Sequence, residues 1–436
     1  MDELDVDGDL PDALQGTYLR NGANPAFAPL GTYHPFDGDG MLHAVSVRDG
    51  CASYRNRWVE SKGLELERRA GEVLFGGLAD MRLPAPEVMA EAGPFKNVAN
   101  TNVIRHNNRI LALWEAGLPT EVDAKLATIG EYDFAGAYQG PFTAHPFVDC
   151  ATGELLTFGY QPMPPFLRYH VIDASGAVAH STEIDLARPV MMHDFAATES
   201  RCVFLDAPAV MDLSAFQTSD PFVSWQPDLG ARFGVIDRYA AGDTVDWYEI
   251  DPCFVYHFMN AWDDGDKIEL VCARWPRLLF DAAEMDLGSD ATLHRFTIDP
   301  VSSSVACEQL DDRRIEFPRV DDRRRGRPSR FGHCATSSAD SAMADFDSIV
   351  RYDLATGDGE VYCFGSGHFV GEAVFAADPD GDGEDDGWLV AFVYDVAADT
   401  SRFCVLDAAD IASGPVAAVE LGRRVPFGFH GSWLPE

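Results

Sequence analysis

The chain has 436 residues, with 33 Lys or Arg against 71 Asp or Glu, which gives a formal net charge of −38. A surface of this charge repels nucleic acid and anionic lipid, so it argues against a nucleic-acid-binding protein. Hydrophobic residues make up 46% of the sequence and aromatic residues 11%, which is enough apolar surface for a large core and excludes a disordered chain.

Neither secretion nor membrane insertion is indicated. The first residues, MDELDVDGDLPDALQG, contain no basic region followed by an apolar one, and no apolar run approaches the roughly 18 residues that span a bilayer. The nine cysteines are odd in number, scattered, and include no CxxC pair, which disfavours a disulfide framework or a zinc-thiolate site. We therefore expect a cytoplasmic protein with reduced cysteines. Its acidic, Lys-poor surface fits either a salt-rich cytoplasm or GC-rich coding.

Most of the predicted elements are short strands. In chain order the elements are a brief helix at residues 86–92, strands at 109–114 and 268–273, a helical turn at 281–285, and strands at 293–298, 348–354 and 388–394. The strands are rich in Val, Ile and aromatic residues, and acidic, glycine-containing turns separate them. Many short strands without a regular alternation of strand and helix favour an all-β fold, a propeller more than a sandwich.

Four of the twelve histidines lie within or beside apolar, aromatic-rich segments: His145, His193, His257 and His430. A histidine in such surroundings is desolvated and usually hydrogen-bonded, so each one alone is readily explained as a core residue. Four together favour a shared metal. Their wide separation in sequence excludes a local zinc finger or a helical HExxH site, and suits ligands from separate strands. Ligands that are all imidazole leave iron, zinc, copper and nickel open.

Three glutamates in apolar contexts are candidates to orient these imidazoles: Glu115, Glu316 and Glu372. A metal-bound histidine usually donates its outer ring N–H to a carboxylate or carbonyl, which fixes the tautomer and the direction of the ring. Each glutamate could instead belong to a structural ion pair, and the residue pattern leaves both explanations open.

Several motifs resemble those of the carotenoid cleavage oxygenase family and occur in that family's order. They extend from Leu10 to Trp433 and comprise the four histidine contexts, GTYLRNG (16–22), FDGDGMLH (36–43), YRNR (54–57), ANTN (99–102) and EFPR (316–319). The resemblance implies an all-β, seven-bladed β-propeller with a dome of loops and short helices over a metal on the propeller axis. It also implies that residues 1–436 form one domain of this type.

The same resemblance implies roles for individual residues. One Fe(II) ion per chain is expected, held by His145, His193, His257 and His430. The carboxylates that match the family's partners of the second, third and fourth histidine are, in that order, Glu115, Glu316 and Glu372. The first histidine has no such partner. Thr101 matches a small residue whose methyl group crowds an open coordination position, and it is the catalytic residue expected beside the metal.

The implied activity is oxidative cleavage of one carbon–carbon double bond. A member of this family would be a non-haem Fe(II) dioxygenase that takes O2 and a hydrophobic carotenoid or apocarotenoid and gives two carbonyl products. Both electron pairs would come from the alkene, and the protein would contribute positioning and a dry tunnel. A transient membrane contact for substrate uptake is left open.

Three alternatives stand beside this activity. The first is cleavage of phenolic stilbenes of the lignostilbene or resveratrol type, for which the family uses a Tyr and a Lys; Tyr54 and Lys96 are the candidates for substrate binding. The second is isomerisation of the double bond without cleavage. The third is a propeller that binds without catalysis, although no histidine of the expected set is missing.

Overall fold

The computed structural model describes residues 4–216, 221–280, 291–337 and 346–436. Apart from two α-helices and short 3-10 turns, its regular elements are strands, which form seven sheets and one two-stranded ribbon. The sheets are arranged as a seven-bladed β-propeller, so the predicted fold is confirmed. The helical turn predicted at 281–285 lies outside the described residues.

We number the blades from one to seven and give their strands from the propeller axis outward. Blade one consists of Gly431–Pro435, Gly16–Arg20, Met41–Arg48 and Cys51–Trp58. Blade two consists of Asn102–His106, Arg109–Leu113, Thr120–Val122 and Thr128–Glu131. Blade three consists of Phe147–Val148, Leu155–Tyr160, Leu167–Ile172 and Val178–Ile184. Blade four consists of Ala196–Ala197, Arg201–Asp206, Ala231–Asp237 and Asp246–Ile250.

The remaining blades follow in chain order. Blade five consists of Phe254–Asp264, Lys267–Trp275, Thr292–Asp299 and Ser304–Gln309. Blade six consists of Ile315–Arg319, Phe331–Thr336, Ser348–Asp353 and Gly359–Cys363. In blade seven two short inner strands, His368–Val370 and Val374–Ala377, both pair with Gly387–Asp395. The strands that follow outward are Thr400–Asp407, Pro415–Glu420 and Val6–Gly8. The ribbon pairs Ala209–Met211 with Val223–Trp225. All five predicted strands are confirmed.

Both ends of the chain close the ring of blades. In blade one, the C-terminal strand Gly431–Pro435 pairs antiparallel with Gly16–Arg20. In blade seven, the N-terminal strand Val6–Gly8 pairs antiparallel with Pro415–Glu420. Two blades are thus completed by segments from opposite ends of the chain, so backbone hydrogen bonds close the ring.

Burial differs between the middle and the outer strands of a blade. In Lys267–Trp275, the consecutive residues Leu270, Val271 and Cys272 are all fully buried, because neighbouring blades cover both faces of the sheet. In Ser304–Gln309, at the rim of the same blade, most residues are exposed. Middle strands therefore appear in the sequence as continuous apolar runs, which makes them recognisable.

Two helices lie between blades one and two in the sequence. The Ser61 hydroxyl accepts a hydrogen bond from Leu64 N (3.4 Å) at the start of Lys62–Ala70, and Gly71 ends this helix at φ 77°. The helix Pro86–Ala92 confirms the prediction and starts with proline in its first turn. Apolar spacing does not reveal the first helix, although its two caps are sequence signals for its ends. No helix in the described part of the chain is long and apolar enough to cross a membrane.

Candidate metal centre

Each of the seven blades has one of the predicted site residues in its inner strand or within three residues of it. In blade order these residues are His430, Thr101, His145, His193, His257, Glu316 and Glu372. The eighth predicted residue of the centre, Glu115, follows the second strand of blade two. Because every blade begins near the axis, residues far apart in sequence meet there.

The four histidines converge on one point. The ring centroid of His145 lies 4.5 Å from those of His193 and His430 and 5.0 Å from that of His257. The His257 and His430 centroids are 4.7 Å apart. Ligand nitrogens of His145, His193 and His257 all lie within 4.8 Å of one another. These three histidines form a group that could bind a metal, and His430 adjoins it.

The donor set fits a divalent transition metal. Nε2 of His257 is buried and has no hydrogen-bond partner within the described residues, whereas its Nδ1 is bonded to a carboxylate. Burial, followed by the neighbouring imidazoles, lowers the pKa of His145 well below its usual value. Burial also lowers the pKa of His430 to about 4. Nδ1 of His193, His257 and His430 is bonded to a carboxylate, which leaves the other ring nitrogen of each histidine for a metal.

Glu316 is held through both of its oxygens. Oε2 accepts hydrogen bonds from His257 Nδ1 at 2.5 Å and from the Phe317 backbone N–H at 2.7 Å, and Oε1 accepts one from Trp275 Nε1 at 2.8 Å. Burial alone would raise the pKa of Glu316, but the His257 imidazole and these hydrogen bonds outweigh it and lower the pKa. The carboxylate is therefore ionised and fixed in direction.

A bulge in the innermost strand of blade six helps to position this pair. The register shifts between Glu316 and Arg319, and Phe317 adopts φ 53°, a conformation that is rare for a bulky residue. The Phe317 ring stacks on His257 with centroids 5.7 Å apart. The bulge thus places the carboxylate on one side of the imidazole and an aromatic ring on its face.

Glu372 is the most enclosed of the three carboxylates. Oε1 accepts a hydrogen bond from His430 Nδ1 at 2.9 Å, and Oε2 accepts one from the Gly431 backbone N–H at 2.8 Å and forms a 3.1 Å ion pair with Arg319 Nη1. Burial alone would raise the pKa of Glu372, but Arg319 and His430 outweigh it and lower the pKa to about 2. Arg319, from the EFPR motif, thus keeps the carboxylate beside His430 ionised.

Glu115 is more open than the other two carboxylates. Its Oε2 lies 2.9 Å from His193 Nδ1, and its side chain is 20% exposed. Tyr160 is its neighbour in the cavity wall: burial, and next the Glu115 carboxylate, raise the pKa of the Tyr160 hydroxyl well above its usual value. Within the described residues no carboxylate is hydrogen-bonded to His145; its backbone N–H donates to Thr143 Oγ1 at 2.9 Å, and its Nε2 lies 3.0 Å from His193 Nε2.

Thr101 lies beside this group with its polar atoms already bonded. Its carbonyl accepts a hydrogen bond from the His430 backbone N–H at 3.1 Å, and its hydroxyl donates to Asn100 Oδ1 at 2.9 Å. Thr101 lines the same cavity as His193, His257 and His430.

Polar residues next to the site residues support the backbone, and their roles are not apparent from the sequence. Asn102 donates from Nδ2 to the carbonyl of Ala144, the residue before His145, at 2.8 Å. Asp194, the residue after His193, accepts a hydrogen bond from Phe258 N at 2.8 Å and so joins blade four to blade five. The available signal is a polar residue directly beside Thr101 and His193, namely Asn102 and Asp194.

A cavity of about 620 Å³ opens onto the histidines. Its wall is mainly apolar and aromatic, and includes Trp114, Tyr160, Phe222, Tyr256, Phe280 and Phe317. A cavity of this size and lining suits a large hydrophobic molecule. The few polar groups in the wall are concentrated at the histidines and at two arginines.

The structure does not place Tyr54 or Lys96 in the wall of this cavity. The Tyr54 hydroxyl lies 2.7 Å from His43 Nδ1, in blade one. The Lys96 ammonium forms ion pairs with the buried carboxylates of Asp39 and Glu67 and faces an adjoining pocket. Their assignment as substrate contacts therefore has no support from the geometry: each polar group is already engaged with protein partners.

Comparison with known proteins gives consistent similarities over the whole chain. Residues 2–435 match the family described as retinal pigment epithelial membrane protein. The carotenoid 9,10(9',10')-cleavage dioxygenase 1 of Phaseolus vulgaris is 34% identical over 100% of this chain and 86% of its own length. The isoeugenol monooxygenase of Pseudomonas nitroreducens is 31% identical over 99% and 94%. The crystal structure of Pseudomonas brassicacearum lignostilbene dioxygenase superposes with a TM-score of 0.92 at 31% identity, covering 100% of this chain and 95% of that one.

Proposed function

This chain belongs to the retinal pigment epithelial membrane protein family, which includes oxygenases, and we propose that it acts as a non-haem iron(II) dioxygenase. In this proposal it cleaves one carbon–carbon double bond of a carotenoid or apocarotenoid with O2. Each carbon of the broken double bond receives one oxygen atom, so two carbonyl products form and no external reductant is consumed. One iron ion is bound per chain.

The observation that carries the proposal is the convergence of four imidazoles beside an aromatic cavity, whose wall three of them form. His145, His193, His257 and His430 would hold the iron, which when bound supplies an O2-binding, redox-active centre without an anionic ligand. The carboxylates fix the direction of three of these rings. The apolar wall excludes water and holds the polyene with one bond at the centre.

Thr101 has a separate role in this proposal. Its hydroxyl is bonded to Asn100, and its methyl group would narrow the space beside the iron. A narrowed space favours a small diatomic molecule over additional ligands. Thr101 therefore acts by shape, whereas the glutamates act by charge and hydrogen bonding.

Metal analysis and product analysis test the proposal together. Protein purified with and without air, and reconstituted with Fe(II), is expected to bind one iron per chain and to cleave β-apo-carotenals. With ¹⁸O2, both carbonyl products are expected to carry the label. Products of unchanged mass would indicate isomerisation, and protein that binds no iron even on reconstitution would indicate a non-catalytic propeller.

Cleavage of phenolic stilbenes is the second candidate, because the lignostilbene dioxygenase structure superposes closely and one relative acts on isoeugenol by name. Parallel incubation with β-apo-carotenals, resveratrol and isoeugenol separates the candidates. We expect turnover of the carotenoid-type substrate. Turnover of the phenols alone, lost in Lys96→Ala, would reverse this order and would require Lys96 to leave its two carboxylate partners.

A further inference from the structure

Two arginines line the cavity although the protein as a whole is strongly acidic. The chain carries a net charge of −38, yet Arg20 and Arg424 line the cavity that opens onto the histidines. The carboxylates in the same wall are Glu115 and Glu316, and both are hydrogen-bonded to histidines. The two arginines are thus the ionic groups of the wall that the metal centre does not use.

Arg20 is a buried cation without an ion-pair partner in the described structure. It is 6% exposed, and its one hydrogen bond joins Nη2 to the Pro426 carbonyl at 2.6 Å. Its Nε is buried and has no partner there, and the guanidinium lies 5.4 Å from the Phe392 ring centroid. Burial lowers the pKa of Arg20, and the nearby Glu372 carboxylate does not reverse this; the contacts already described occupy both oxygens of Glu372. A buried charge is costly unless an opposite charge or further hydrogen bonds compensate it.

Arg424 lies where the same cavity reaches the surface. Its side chain is exposed, forms no ion pair within the described residues, and lies 5.1 Å from the Tyr394 ring centroid. Tyr394 packs against Phe369 and Phe427, with ring centroids 6.3 and 6.4 Å away, and Phe427 is 48% exposed. The acid beside this group, Asp399, accepts the Tyr394 hydroxyl and is not part of the wall. This part of the cavity therefore combines aromatic surface with unpaired positive charge.

We propose that the cavity takes a conjugated apolar chain that ends in a carboxylate, and that Arg20 and Arg424 recognise this end. The inference rests on the proposed function, because it takes this cavity as the substrate site, and it narrows the substrate class to an apocarotenoid-type acid. Arginine binds carboxylates through paired, charge-assisted hydrogen bonds. The anchored end would fix how far along the chain the cleaved bond lies, since the histidines are in the same cavity.

The test is a binding measurement that does not depend on turnover. The probes are trans-parinaric acid, a fluorescent tetraene fatty acid, and its methyl ester, each titrated into the purified protein without O2. We expect the acid to bind more tightly than the ester. Arg424→Gln is expected to weaken binding of the acid about tenfold and to leave binding of the ester unchanged. Arg423→Gln is the matched control, because Arg423 is the neighbouring exposed arginine and does not line the cavity.

Arg20 is tested with two variants because its burial makes folding sensitive to substitution. Arg20→Lys keeps the charge, and it is expected to keep part of the preference for the acid. Arg20→Met is expected to abolish the preference, and Arg424→Gln provides the same test at a position where folding is not at risk. Equal binding of acid and ester to the wild type, or an equal effect of Arg424→Gln on both, overturns the inference.

The two proposals fail in different ways. Protein that prefers the acid but cleaves no double bond would leave the anion site standing and remove the oxygenase activity. Protein that cleaves neutral polyenes and shows no preference between acid and ester would support the oxygenase activity and rule out the anion site. In turnover with acids of different chain length, the carboxylate-bearing product is expected to keep a constant length.

Discussion

The three carboxylates at the centre differ in how firmly each is held. Glu372 has Arg319 and a backbone N–H, Glu316 has Trp275 and a backbone N–H, and Glu115 is partly exposed. A carboxylate bound on both oxygens cannot rotate away from its imidazole, so it fixes the ring more strongly than an open one. Substitutions of these glutamates should therefore show how much the orientation of each imidazole and the charge of its carboxylate partner contribute to activity.

Glu316→Gln is expected to lower kcat roughly 10- to 100-fold, because the amide keeps the size of the side chain but removes the charge opposite His257. Steady-state cleavage and iron content measure the effect. Glu308→Gln is the matched control, since Glu308 is exposed on the outermost strand of blade five. Wild-type turnover in Glu316→Gln would contradict the role given to this residue.

Thr101 separates the effect of a methyl group from that of a hydroxyl. Thr101→Val keeps the methyl group and loses the hydrogen bond to Asn100, whereas Thr101→Ser does the opposite. If shape is what matters, Val should retain most of the cleavage rate and Ser should lose several-fold. A Ser variant as active as wild type, with Val inactive but folded by its melting temperature, would assign the role to the hydroxyl.

At the scale of the strands, hydrogen bonds between blades keep the inner strands in place. His333, in the second strand of blade six, is buried, and its Nε2 lies 3.0 Å from the Ala373 carbonyl of blade seven. This bond lies one residue from Glu372. Burial, followed by the charge of Arg319, lowers the pKa of His333 to about 4, so the ring is neutral in the folded protein.

This histidine predicts a dependence of stability on pH. Below pH 6.5 the unfolded chain protonates this residue while the folded protein does not until about pH 4. Stability therefore falls as the pH drops through this interval, and His333 contributes about 2 kcal/mol of loss between pH 7 and pH 5. Urea unfolding of the wild type and of His333→Gln at pH 7 and at pH 5 measures this loss of stability. The Gln variant keeps a hydrogen-bond donor, and it should lose less stability on acidification; an equal loss would refute the assignment.

At the scale of the whole molecule, the proposed metal would connect four of the seven blades, three of which are consecutive. His430 belongs to blade one, His145 to blade three, His193 to blade four and His257 to blade five. The chain ends already close the ring through two pairs of strands. A metal held by four blades would add a further link at the axis to these backbone hydrogen bonds.

Removal of the metal is therefore expected to lower the melting temperature by a few degrees, because a ligand that binds the folded state alone stabilises it. Calorimetry of iron-loaded and chelator-treated protein measures the difference. In His145→Ala, chelator should have no effect. A wild-type melting temperature that is unchanged by iron removal would argue against metal binding by this group.

The fold was largely predictable because strand signals are local. Apolar runs such as 268–273 reflect burial between neighbouring blades, and the turns between them use acidic residues and glycine. The helix Lys62–Ala70 was missed because it has few apolar positions, and only its caps Ser61 and Gly71 mark it. The number of blades came from family resemblance, since no repeat in the sequence counts them.

The available chemistry could be identified from residue types and motifs: four histidines in apolar contexts, three glutamates to orient them, and motifs of an oxygenase family. Which of these groups face one another became clear from the folded chain. Lys96 meets Asp39 and Glu67 away from the cavity, Tyr54 meets His43, and Arg20 lines the wall without an ion-pair partner in the described structure. The physical reason is that residue type and local pattern act over a few positions, whereas side-chain partners depend on how the blades bring distant strands together.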